Sequence, residues 1–183
     1  MEVGRLMNTG QTVFTQVMAR IPHWEFQRAY AACGVPAPRS DALSPWDHFL
    51  TLGFAQMTFR ESLRDIEACL SAQVGLAYHM GFRSQITRSA LSRANEQRDW
   101  RPWEHLAGKL MPKVRALYFD EPNALDLDVP VIAVDSSIID LSFALCPWAN
   151  WTGTDAAVKL HTALDLRGPI PAFFNITPAT YGD

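Results

Sequence analysis

From Thr12 to Leu117 apolar residues recur every three or four positions, the spacing of helices that turn one face to a core. In TVFTQVMARI the residues Val13, Phe14, Val17, Met18 and Ile21 fall on one helical face, and Pro22 closes the run. A second short helix, HWEFQRAYAAC, ends at Gly34, which tolerates the left-handed backbone that follows many helices. The stretch 35–42, with two prolines, reads as a loop. Ser44-Pro45 then opens a third helix, Ser44 as N-cap and Pro45 in its first turn, expected to bury Phe49, Leu50, Phe54 and Met57. Thr58-Phe59-Arg60-Glu61 has the form of a capping box, and behind it Leu63, Ile66 and Leu70 make a stripe. A further helix ends near Gly81, and Ser84 or Thr87 caps the next, which runs through TRSALSRANEQRD. Pro102 begins a longer amphipathic helix, with Trp103, Leu106, Leu110, Val114 and Leu117 predicted to face inward.

At Phe119 the pattern changes. FDEPNALDLDVP is acidic, holds two prolines and lacks a helical period, so it reads as a boundary. VIAVD follows, an apolar, β-branched run of the kind found in buried strands. AVKLHTALD and IPAFFNIT are two more strands, expected to pair as a hairpin across the turn 166–169. The expected fold class is therefore α+β: an all-helical region over 1–120, a linker over 121–130, and a sheet over 131–183.

The chain has 48% apolar and 19% charged residues, a globular balance. No apolar run approaches the roughly 18 residues needed to cross a bilayer. The N-terminus lacks the charged-then-apolar layout of a signal peptide, so a cytoplasmic location is expected. Cys33, Cys69 and Cys146 are scattered and form no CxxC pair, which reads as reduced thiols packed in cores. The five histidines have no metal-ligand spacing. The net charge of −3 hides an uneven distribution. Residues 1–120 carry 14 Lys+Arg against 11 Asp+Glu, and residues 121–183 carry 2 against 8. Within 83–115 the balance is 8 basic to 3 acidic, and such a local patch can hold phosphates whatever the total, because distant charges are screened.

Two groups of residues carry candidate chemistry. The segment 63–98 reads as short helices joined by tight turns, the layout of a helix-turn-helix whose second helix enters the major groove. The basic stretch that begins at Arg83 leads into a helix offering Arg88, Ser89, Ser92, Arg93 and Asn95, while Ile86, Ala90, Leu91 and Ala94 can face a core. Arginine pairs bidentately with guanine and asparagine with adenine, while serine suits phosphate, although an ordinary solvated helix face has the same composition. In the second group, Asp135 closes VIAVD on the side shared with Val131 and Ala133. A carboxylate on a rigid strand is what two-metal phosphoryl transfer needs, but a strand-end Asp capping a turn with Ser136 or Ser137 would look alike. Asp140, five residues on, would point away. Lys159, His161 and Asp165 share one face of their strand; Lys159 and His161 could approach a phosphate or stand in solvent.

These stretches carry a resemblance. MNTGQTVFTQVMARIP, WDHFLTLGFAQMTFRESLRDIEACL, YHMGFRSQITRSALSRANEQRDWRPWEHLA, VIAVDSSIIDLSFALCPWANW and AVKLHTALDLRGPIPAFFNIT together look like DDE-type insertion-sequence transposases of the IS-four family. The likeness is to the subgroup with a helical N-terminal domain of unassigned function, and runs from about Met7 to the last residue. It implies a ribonuclease-H-like sheet after the helical region and binding of double-stranded DNA at the element's terminal inverted repeats. It also implies a homodimer and phosphodiester cleavage and strand transfer with two Mg²⁺ ions, Mn²⁺ substituting. The family's first Asp, in a strand reading V-x-D-S/T, maps onto Asp135, which makes it the expected catalytic residue and metal ligand. The second Asp and the Glu do not map, and Asp183 is not read as a triad residue. The chain as given is thus expected to bind DNA without cutting it, and to leave Val131, Ile132, Val134, Phe173 and Phe174 poorly buried. The alternatives are a non-catalytic DNA-binding protein that competes at or represses element ends, and a remnant without function.

Overall fold

The computed structural model describes residues 11–36, 43–118, 129, 131–141, 156–168 and 170–180. Among them are seven helices and a three-stranded antiparallel sheet, a mixed α+β fold. Contacts divide the chain into two compact units, Met1–Trp103 and Glu104–Asp183. The division falls inside the last helix; most of the 119–130 stretch that the sequence marks as a boundary lies outside the described residues.

In the first unit α1 spans Val13–Met18, α2 His23–Ala32, α3 Pro45–Met57, α4 Leu63–Ser71, α5 Val74–His79 and α6 Arg88–Gln97. Their apolar stripes meet in one core built on Phe14, Met18, Leu50, Phe54, Ile66, Leu70 and Leu91, with Phe82 and Ile86 from the connector before α6. Phe14 stacks on Phe82 and meets Phe54 edge-on. A second aromatic group joins α2, α3 and the residues after α6: Phe26, Trp46, Phe49 and Trp103, with ring centroids 5.2 to 6.0 Å apart. On α1 the core takes Phe14 and Met18, with Ile21 packed against it, and leaves Val13 and Val17 exposed. A helix this short needs only the two positions one turn apart.

Capping follows the sequence at α3 and α6, and α1 has a cap at Thr12 that the spacing alone does not name. Thr12, Ser44 and Thr87 accept the N–H of Thr15, Asp47 and Ala90 at the starts of α1, α3 and α6. The expected capping box at Thr58–Glu61 does not form. Thr58 instead ends α3, its hydroxyl donating to Phe54 O, and Ser62 caps α4 by accepting from Asp65 N. Between them Phe59 has φ 55°, and Arg60 N donates to Ala55 O. That is the left-handed ending usually given to glycine, and here a phenylalanine holds it. Met57, expected inside, is exposed because α3 has already turned out of the core.

The longest helix, α7, spans Arg101–Leu117 and belongs to both units. Leu106 is buried and Leu110 half-buried, but Val114 and Leu117 are exposed, against expectation. Pro112 lies inside it and has no N–H for the carbonyl one turn earlier.

In the second unit the sheet order is β1-β2-β3, with β1 Ile132–Leu141, β2 Ala156–Asp165 and β3 Ile170–Pro178, antiparallel throughout. The hairpin of β2 and β3 forms as expected. At the end of β2 the Asp165 carboxylate is buried and accepts from Arg167 (Nη2, 2.7 Å) and Arg115 (Nη2, 3.1 Å), tying the end of α7 to the hairpin turn. These bonds, Arg167's first, hold the Asp165 carboxyl well below the usual carboxylate range. Gly168 is required in that turn: a Cβ there would lie 2.8 Å from the Tyr118 ring. The β1 run has the composition of a buried strand, but among the described residues it pairs only with β2; Ile132 and Val134 (78%) are exposed, as expected for the uncovered sheet, and so is Ile138. Phe173 is exposed on β3, while Val131 and Phe174 are half-buried.

Candidate functional site

α6 carries five of the eight candidate DNA-contacting residues: Arg88, Ser89, Ser92, Arg93 and Asn95. Leu91 and Ala94 are buried, and Leu91 is 0% exposed, which fixes the rotation of the helix. Arg88, Ser89 and Arg93 consequently face solvent, with Ser92 partly covered. Ser92 Oγ donates to Glu96 Oε1 at 2.8 Å, and the Arg88 N–H is taken by Glu67 Oε1 of α4 at 2.9 Å. Asn95 is exposed but its Oδ1 is engaged within the fold, 2.7 Å from His48 Nε2. Several cations of the basic stretch are also engaged within the fold. Arg98 donates to Leu43 O and Ser44 O, and Arg101 pairs with Asp99. The basic character available to a partner is therefore narrower than the count over 83–115 suggests.

The connection from α5 to α6 runs over 80–87, longer than the three- or four-residue turn of a helix-turn-helix. It is nonetheless fixed, by a residue the sequence reading passed over. Asp47 is 1% exposed; its Oδ1 accepts from Arg83 N (3.1 Å) and its Oδ2 from Ser84 Oγ (2.7 Å). Beside it His48 is buried, its ring 5.4 Å from Trp103, and among the described residues its Nδ1 has no hydrogen-bond partner. Asn95 Oδ1 can only accept, so Nε2 carries the proton and Nδ1 is a bare lone pair. Burial holds the His48 pKa below its ordinary value, with Arg98 acting in the same direction and the Asn95 bond against it. Thr51 completes the group by donating to Asp47 O. The signal was present in the spacing: Asp47, Leu50, Thr51 and Phe54 follow i, i+3, i+4, i+7 on the core face of α3.

Arg83 stands at the mouth of an open cleft of about 340 Å³ beside α5. Its guanidinium lies 4.6 Å from the centroid of the Tyr78 ring, and Nη1 donates to Tyr78 O.

In the sheet, Asp135 sits in the middle of β1, so it neither ends the strand nor caps a turn. It is exposed, with Ser137 Oγ 3.5 Å from Oδ2. Its cross-strand partner is Thr162, whereas Ser136 lies opposite His161 and Ile138 opposite Lys159. Directly opposed residues share a face, so Lys159 and His161 lie on the face away from Asp135. His161 Nε2 is 3.0 Å from Thr177 Oγ1. Asp140 also falls on that other face, as its odd spacing from Asp135 requires. Two Mg²⁺ ions need several oxygen ligands held together. Among the described residues no three His, Cys, Asp or Glu side chains are grouped to hold a metal, so these residues do not by themselves fit the two-metal site. Asp183 and Cys146 lie outside the described residues. Among the described residues no helix is long and apolar enough to cross a membrane.

No curated protein matches the chain, and no solved structure matches it. Residues 9–83 match the family model DUF4372, a domain of unknown function found in transposase-associated proteins. The match covers α1 to α5 and ends at Arg83, with α6 beyond it.

Proposed function

We propose that this chain binds double-stranded DNA through the outward face of α6, as the DNA-holding part of a DDE-type transposase of the IS-four family. The observation that carries the reading is the division of α6 into two faces. Leu91 and Ala94 lock one face into the core, and Arg88, Ser89 and Arg93 are thereby left exposed, the two arginines on either flank of the outward surface. Arginines on the two flanks of such a surface suit phosphates and guanine edges. The presence of DUF4372 in transposase-associated proteins and the sequence resemblance across the sheet support the same assignment. On this reading the three strands begin a ribonuclease-H-like domain and Asp135 is its first metal ligand. The intact assembly then works as a homodimer on the terminal inverted repeats, with Mg²⁺. Lys159 and His161 serve phosphate contact on the other face of the sheet and take no part beside Asp135.

The test is a mobility-shift titration of the 183-residue chain with element-end duplex at two salt concentrations. Arg88→Ala/Arg93→Ala should weaken binding by about 1–3 kcal/mol for each base-reading side chain, and should flatten the salt dependence where phosphate is the target. Unchanged affinity in the double variant would refute the assignment to α6. A second reading, binding to element ends without cutting, is favoured by the exposed position of Asp135 away from Lys159 and His161. Metal-dependent nicking by this chain, abolished by Asp135→Asn, would decide against it.

A further inference from the structure

The cleft beside α5 has the parts of a nucleobase site. Its floor is apolar, from Leu70, Phe82 and Ile86, the latter two nearly fully buried. Its rim is polar, with the Ser71 and Ser84 side chains. Over the mouth stands Tyr78, 65% exposed, with the Arg83 guanidinium against its ring. The guanidinium covers one face of the Tyr78 ring, and the ring's exposure leaves π-surface on the other face for a ligand. Unstacked bases are held by that pairing: the base lies on the aromatic ring, and the guanidinium supplies cation–π contact and faces the phosphate.

The position supports the same occupant. The cleft wall continues through Ser84, Gln85 and Ile86 into Thr87, the N-cap of α6, so cleft and basic face adjoin along one chain segment. Asp47 pins that segment at Arg83 N and Ser84 Oγ, so the platform is held in place before any ligand arrives.

We propose that the Tyr78–Arg83 cleft takes one unstacked base of single-stranded DNA next to the duplex held by α6. The proposal rests on the DNA-binding reading and adds to it a preference for duplex with an unpaired base over plain duplex. A base site of this kind is indifferent to sequence, because every base offers a π-face.

The experiment uses the full chain and two probes: a plain duplex, and the same duplex ending in a short oligothymidylate overhang with 2-aminopurine in place of one base. The overhang duplex should bind about tenfold tighter, within the range of one stacked base, and 2-aminopurine fluorescence should fall on binding. Tyr78→Ala should remove both the gain and the quenching and leave plain-duplex affinity unchanged; Tyr78→Phe should restore both. Thermal unfolding monitors folding, since so exposed a ring can be truncated without loss of core. Equal affinity for the two probes in wild type, or quenching that survives Tyr78→Ala, overturns the cleft while leaving α6 intact. Weaker binding to both probes in Arg88→Ala/Arg93→Ala is the independent check on α6. Failure of wild type to bind either probe removes both proposals together.

Discussion

Replacing Asp47 should damage the first unit far more than its place on a surface-rich helix suggests. Its carboxylate accepts two hydrogen bonds from the 80–87 connector, one from Arg83 N and one from Ser84 Oγ, and is 1% exposed. Hydrogen bonds to a charged group contribute about 1.5–3 kcal/mol each, and an orphaned buried donor loses its hydration as well. Ser84 is exposed and can recover water, which discounts its share. Asp47 also lies in the first turn of α3, where a negative charge gains roughly 0.3–1 kcal/mol from the helix dipole. Asp47→Ala should therefore destabilise the unit by about 2–4 kcal/mol, a fall in Tm of about 10–20 °C for a body of this size. Asp47→Asn keeps one acceptor and should lose about half as much. The assay is thermal unfolding of Asp47→Ala, Ser84→Ala and the double variant, followed by circular dichroism. A coupling of at least about 0.5 kcal/mol between the two sites is expected. A Tm loss of under 3 °C for Asp47→Ala, or strict additivity with Ser84→Ala, would refute the account of how the connector is held.

His48 should make the same unit acid-sensitive. Burial lowers its folded pKa, so the unfolded chain takes up the proton first; the stability is fully present above the ordinary histidine range near pH 6.5 and is lost as pH falls through it. Melts from pH 8 to 5 should show this decline, and His48→Gln should flatten it; an unchanged slope in the variant would assign the effect elsewhere. Phe59→Gly should stabilise by about 1 kcal/mol, because the residue has φ 55° and its ring, 86% exposed, has little packing to lose. A lower Tm in that variant would mean the ring packs more than its exposure indicates.

The helices of the first unit were legible because their information is local. An apolar residue every third or fourth position, a Ser or Thr before the first turn and a Gly after the last each act within a few residues. So α2, α3, α4 and α6 lie close to where the spacing puts them, and Ser44 and Thr87 cap as read. The Thr58 error is of the same local kind: Thr58 and Ser62 both offered an oxygen, and only the turn at Phe59 decided which one faced a helix start. The hairpin was legible because Leu166–Pro169 separates two strands of matched length. The residues that determine the candidate site were not. Asp47 and Arg83, and His48 and Asn95, are far apart in sequence, and no periodicity reports which polar side chain on a core-facing stripe will find its partner. The same holds for the sheet. Alternation shows that Asp135 and Asp140 lie on opposite faces, but only the cross-strand register puts Asp135 beside Thr162 and away from Lys159 and His161. A one-residue change of register would have reversed that, because side chains alternate with a period of two. Local spacing thus determined the elements of this chain, while the pairing of distant polar groups, set by packing and strand register, decided which of its chemical residues can act together.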